Sequence, residues 1–249
     1  MRTWLLTIAL FFACAAPAHA YIYWTDGAAG TIGRANLDGS GVKSNFITGA
    51  AAPRGIAVDE DHIYWAGATT IGRADLDGSD VDQDFITAAA VGLAVDGSYL
   101  YWTTATGIGR ASLDGSNVNS AFVTGENGPI GLGVNGLGIY WSDAADRIRR
   151  ANLAGSGVQT VSTDADDRGL AVDANRIVWA DGSPARFLIG DIGPTGTIGN
   201  VRTQAVADPR SVALDDTHFY WTKAGGIGRI NRDGTALNEA FIAASDPRM

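Results

Sequence analysis

The chain is almost without cysteine: Cys14 is the single one in 249 residues. With no second thiol there is no disulfide framework, so stability must come from a buried core. Histidine is scarce as well, and only His62 and His218 lie beyond the first twenty residues. That excludes a histidine-rich metal cluster, and neither a Ser/His/Asp arrangement nor a phosphate-cradling glycine motif is present. Basic runs are missing too. With 18 Lys and Arg against 27 Asp and Glu, the net charge is −9, which argues against nucleic acid as a partner. Beyond residue 20 no apolar run approaches the roughly 20 residues that a membrane-spanning helix needs. No window holds a helical period, so helical folds are excluded.

The first twenty residues stand apart. Arg2 is a short positive region, Trp4 to Ala13 an apolar one, and Ala18-His19-Ala20 a small-x-small cleavage site. Residues 1–20 therefore read as a signal peptide and 21–249 as the mature domain, secreted, periplasmic or on the cell surface.

What the chain does have is repetition. An aromatic-Trp couplet, with Val in place of the aromatic once, ends at Trp24, Trp65, Trp102, Trp141, Trp179 and Trp221, at intervals of 37 to 42 residues. Around each couplet lie three further short segments. The first is of the type Gly55-Ile56-Ala57-Val58-Asp59, whose alternating small and branched residues suit a fully buried strand. The others are of the types Ile32-Gly33-Arg34-Ala35-Asn36-Leu37 and Phe46-Ile47-Thr48. Asp-Gly follows the third segment at Asp38, Asp77, Asp114 and Asp233, which predicts a tight hairpin. Four antiparallel strands per period of about 40 residues, six times over, describe an all-β six-bladed propeller. Tryptophans recurring once per blade belong in the wedges between blades rather than on a sugar-stacking surface.

Tyr23-Trp24-Thr25-Asp26, with Tyr140-Trp141-Ser142-Asp143 and Tyr101-Trp102-Thr103-Thr104 close to it, resembles the YWTD repeat of the low-density lipoprotein receptor class B family. The resemblance extends over 21–249. It implies a six-bladed propeller acting as an extracellular binding or scaffolding module, not an enzyme. Together with the alanine-rich composition and the form of the signal segment, it suggests a prokaryotic secreted relative. Two rival functions stand beside it: a propeller enzyme of lyase or lactonase type, and a fragment of a larger extracellular scaffold protein.

Two irregularities break the pattern. Five copies of the first segment are present against six of the others, so blade one is expected to lack its inner strand. The chain stops just after Pro247-Arg248, a copy of Pro209-Arg210. In the fifth repeat the couplet is Val178-Trp179, the stretch before the third strand is the longest and is expected to loop out, and Asp191 replaces the recurring arginine of Arg34, Arg73, Arg110, Arg150 and Arg229. Those arginines are expected to tie blades together through repeat acids such as Asp59 or Asp96.

Candidate ligand-binding residues follow from repeat position. Arg54, Arg168, Arg210 and Arg248 each precede an inner strand, while Val91 and Ile130 hold the other two places. Topology puts all of these at one mouth of the central channel. Convergent guanidinium groups favour a carboxylate or phosphate, such as an acidic glycan or a protein side chain. Arg186, in the long fifth-repeat segment, is expected to join them. The plain structural use of such an arginine is to pair with a loop carboxylate. Asp143, Asp146, Asp164, Asp166 and Asp167 form an acidic group near blade four, to be weighed as a calcium site against a solvated loop. No cofactor is implied.

Overall fold

The computed structural model describes residues 21–165, 168–245 and 247–248; the segment read as a signal peptide lies outside them. All described regular structure is β, arranged as six four-stranded antiparallel sheets. Blade one contains β1 (Tyr21–Asp26), β2 (Thr31–Asn36) and β3 (Lys43–Thr48). Blade two is β4 (Ile56–Val58), β5 (His62–Ala66), β6 (Ile71–Asp75) and β7 (Asp82–Ile86). Blade three is β8 (Leu93–Val95), β9 (Tyr99–Thr104), β10 (Gly107–Ser112) and β11 (Asn119–Thr124). Blade four is β12 (Leu132–Asn135), β13 (Gly138–Asp143), β14 (Arg147–Ala151) and β15 (Gln159–Ser162). Blade five is β16 (Leu170–Val172), β17 (Arg176–Gly182), β18 (Ala185–Ile192) and β19 (Ile198–Ala205). Blade six is β20 (Ser211–Leu214), β21 (His218–Lys223), β22 (Gly226–Asn231) and β23 (Asn238–Ala243).

The expected gap in blade one is filled, and the sequence reading is corrected. A last strand, β24 (Pro247–Arg248), pairs antiparallel with β1 through Asp26↔Pro247 and Thr25↔Arg248. Blade one thus has four strands, in the order β24-β1-β2-β3. The residues expected to lead into a missing strand are themselves the strand. Two residues carry no alternation for a sequence pattern to detect.

The core is divided among the wedges between blades. Trp102 and Leu100 of blade three pack with Tyr64, Ile71 and Ile86 of blade two, and the other wedges repeat the scheme. All six couplet tryptophans are at most 1% exposed, each a burial of about 150–250 Å². A glycine on the neighbouring third strand makes room for the indole. A Cβ on Gly33, Gly72, Gly109 or Gly228 would lie 2.2 Å from the ring of Trp24, Trp65, Trp102 or Trp221. Blade four has Arg149 at that register. There the buried Glu126 accepts from both Trp141 Nε1 and Arg149 Nε, each at 3.1 Å.

Four of the five recurring arginines tie blade to blade, but not through acids, whereas Arg150 donates to the Leu137 carbonyl and the Tyr140 hydroxyl of its own blade. Arg34 donates to the Leu76 carbonyl, Arg73 to Leu113, Arg110 to Leu153 and Arg229 to Leu37, in each case on the next blade. Their guanidinium groups lie 4.0–4.2 Å from the ring centres of Phe46, Phe85, Phe122 and Phe241, a cation–π contact. The acids have another use. Asp59, Asp96 and Asp215 accept the phenol hydroxyls of Tyr64, Tyr101 and Tyr220 at 2.9, 3.0 and 2.7 Å.

The Asp-Gly hairpins are looser than expected. Asn36 and Lys43 are separated by a turn in which Gly39 and Gly41 take positive φ, and Asp38 caps the backbone NH of Ser40 at 2.8 Å. The third strands also shift register against the fourth, as between Ile32 and Arg34. That shift absorbs the longer turn.

Candidate functional site

The inner strands surround a central cavity of about 1030 Å³. Its walls are the small and branched residues of the first segments, such as Ile56-Ala57-Val58 and Leu93-Ala94-Val95. Glycines mark the rim because backbones meet there. A Cβ on Gly55 would lie 2.4 Å from the Val91 carbonyl oxygen, and one on Gly92 would lie 2.1 Å from that of Ile130. The amides of Gly55 and Gly169 donate to the carbonyls of Val91 and Arg210 on the next blade.

Arg54, Arg168, Arg210 and Arg248 all line this cavity, as do Val91 and Ile130. Blade position alone therefore brings four of the five candidate arginines to one space. Asp208, which sequence reasoning passed over, also lines it. Its Oδ1 lies 3.5 Å from Arg168 Nη1 and its Oδ2 lies 3.7 Å from Arg210 Nε. Arg168 Nη1 also donates to the Pro209 carbonyl. Two of the arginines thus have the loop-carboxylate role. The clue was the triplet Asp208-Pro209-Arg210, which recurs at 246–248. Arg54 is exposed and forms no ion pair among the described residues.

Arg186 is not among the residues lining the cavity. Its Nε lies 2.7 Å from Asp181 Oδ2 and its Nη2 lies 3.3 Å from Asp164 Oδ1. The expected blade-five loop is instead an extension of the hairpin. β17 and β18 pair out to Gly182↔Ala185, with Ser183-Pro184 as the whole connection. The tip still reaches the mouth, since a Cβ on Gly182 would lie 2.0 Å from Arg168 Nη2.

Asp215 is the other cavity carboxylate. Burial pushes its carboxyl up, but hydrogen bonds from Tyr220, Thr217 and the His218 amide outweigh that and hold it below the ordinary value. His62 and His218 face aspartates at 3.7 Å, Asp59 and Asp75 for the first and Asp215 for the second. Of the acidic group near blade four, Asp143 pairs with Arg147 and Asp164 with Arg186, while Asp166 and Asp167 lie outside the described residues. Among the described residues no three or more His, Cys, Asp or Glu side chains are placed to hold a metal ion. Among the described residues there is no helix long and apolar enough to cross a membrane.

Residues 20–60, which contain Tyr23-Trp24-Thr25-Asp26, match the low-density lipoprotein receptor repeat class B. The chain is a six-bladed β-propeller whose first repeat matches that class of repeat. Two solved structures show the same fold. The crystal structure of a nidogen/laminin complex contains a chain that superposes with a TM-score of 0.74 at 21% identity, over 87% of this propeller and 91% of that chain. A gluconolactonase from Xanthomonas campestris superposes with a TM-score of 0.62 at 21% identity, over 76% of the propeller and 75% of its own chain. No curated protein sequence matches the propeller.

Proposed function

We propose that this propeller is a secreted binding module whose channel mouth receives an anionic group of a protein or glycan partner. The carrying observation is the composition of the cavity: four arginines, two aspartates and otherwise mainly apolar or small side chains. Asp208 is shared by Arg168 and Arg210, and Asp215 is engaged by Tyr220 and by backbone amides. Arg54 and Arg248 are the exposed arginines of the set. Inside a concave site, away from bulk water, a carboxylate facing two guanidinium groups gains more than it would on an open surface. The nidogen likeness supports the binding role, because that chain was solved in complex with laminin. The gluconolactonase likeness is one of fold.

Calorimetric titration with oligogalacturonate and with a glutamate-rich peptide tests this reading. Binding is expected to weaken with added salt and to fall at least tenfold in Arg54→Ala/Arg248→Ala. Binding unaffected by that double substitution, or none with either probe, would refute it.

A further inference from the structure

At each seam between blades, a glycine in the turn after the third strand is a seat, and the preceding blade supplies what sits on it. A Cβ on Gly78, Gly115, Gly155 or Gly39 would lie 2.8–2.9 Å from the ring of Phe46, Phe85, Phe122 or Phe241. Blade four has Val161 in place of that phenylalanine, and Arg150 takes the seat: a Cβ on Gly196 would lie 2.2 Å from its Nε. The seam between blades five and six has neither. Ile189↔Arg202 is the equivalent of Ile32↔Ile47, so the phenylalanine position falls on Val201, which is 48% exposed. The arginine position is Asp191. Among the described residues, what a Cβ on Gly234 would meet is Gln204 Oε1, at 3.2 Å.

A pocket of about 90 Å³ opens at this place. Its apolar lining is the buried Ile189, Phe219 and Ile230. Arg202, Gln204, Arg232 and Gly234 also line it. Arg232 Nη1 holds Asp173 at 2.7 Å, but its buried Nε has no hydrogen-bond partner among the described residues. A closed cavity needs about 150 Å³ to take up benzene. Here Arg202 and Gly234 are exposed, so the pocket is open to an entering ring. Gln204 Nε2 donates to the carbonyl of its neighbour Ala205 at 3.2 Å, a local bond that lets the side chain swing clear of Gly234.

We infer that this seam binds a phenolic ring, as a free phenol or as the tyrosine side chain of a partner. The ring takes the seat on Gly234 that phenylalanine holds in four other seams. It packs on Phe219 and Ile230, and the guanidinium groups of Arg202 and Arg232 give it the cation–π contact that Phe46 receives from Arg34. The phenolic oxygen accepts from Arg232 Nε, a bond that a plain phenyl ring leaves unmade. The pocket shares no lining residue with the channel cavity, so the site is independent of an anion at the arginine mouth.

Phenol, benzene and cyclohexanol are titrated separately into the full chain, and the backbone amide NMR signals of Arg232 and Gly234 are followed. Phenol is expected to shift both signals saturably. Benzene, which lacks the oxygen, and cyclohexanol, which lacks the aromatic face, are each expected to bind about tenfold more weakly, the first as for loss of one hydrogen bond to a charged group. Val201→Phe puts the repeat's own ring on Gly234 and is expected to abolish phenol binding. N-acetyltyrosinamide separates the sources: if it shifts the same signals the seat takes a partner's tyrosine, and if phenol alone does so the ligand is a free phenol. No shift with phenol, equal affinity for phenol and either of the other two probes, or phenol binding unchanged in Val201→Phe overturns the proposal. The probe comparison uses the unaltered protein, so a Val201→Phe variant that fails to fold does not shield it.

Discussion

Arg232 of blade six donates through Nη1 to the carboxylate of Asp173 in blade five at 2.7 Å. Two departures from the repeat meet in this bond. Asp173 ends an inner strand, the place from which Asp59, Asp96 and Asp215 accept a tyrosine hydroxyl, but blade five has Val178 in place of tyrosine. Arg232 stands where the other Asp-Gly turns have leucine, at Leu37, Leu76 and Leu113. The guanidinium supplies the donor that the valine lacks. Burial raises the Asp173 carboxyl, but the Asn175 and Arg176 amides and Arg232 together hold it below its usual value.

Arg232→Leu is therefore expected to destabilise by about 1.5–3 kcal/mol, as for loss of a hydrogen bond to a charged group. Adding Val178→Tyr to that variant should recover part of the loss by restoring the arrangement of the regular blades. Denaturant unfolding of the two variants checks this. A double variant no more stable than Arg232→Leu would show that the two positions are not coupled.

Trp102 and Gly109 form a second coupled pair. Trp102→Ala empties a fully buried site and is expected to cost about 3–5 kcal/mol. Gly109→Ala drives a methyl group into a rigid ring and is expected to cost about 1–3 kcal/mol. Combined, the losses should fall short of their sum, because the alanine methyl then points into the cavity left by the indole. Additive losses measured by chemical denaturation would contradict the packing.

Tyr64, Tyr101 and Tyr220 predict behaviour in alkali. Burial, with a neighbouring aspartate, raises each phenol well above 10.0. The protonated phenol is thus favoured in the folded state. Its contribution is fully present below the unfolded value of about 10 and is lost as pH rises through the higher folded one. The melting temperature should start to fall above about pH 10, and less steeply when the three are changed to phenylalanine. Parallel profiles for the two proteins would remove the tyrosines as the cause.

Legibility differed by the kind of interaction. The tryptophans marked every wedge correctly because one large apolar side chain per period has few other places to go. The partners of Arg34 and its equivalents were misassigned, since a backbone carbonyl acceptor such as that of Leu76 leaves no residue type to read. The same holds for Tyr64, whose hydroxyl claims the Asp59 expected to face an arginine. Blade five's extra residues were counted properly, yet Gly182, Ser183 and Pro184 suit a loop as well as a lengthened hairpin. The mouth arginines were placed by repeat position, while Asp208 sits in a turn that strand periodicity does not address.

The two-residue β24 also determines how the ring bears load. Tyr21 and Arg248 belong to one sheet, so tension applied between them crosses the Thr25–Arg248 and Asp26–Pro247 pairs before any other strand contact. Every other blade resists with its full set of rungs, and Arg229 on the Leu37 carbonyl is a further clasp at that seam. Tension applied between Tyr21 and Arg248 therefore meets its weakest resistance in blade one, at a buckle of two rungs.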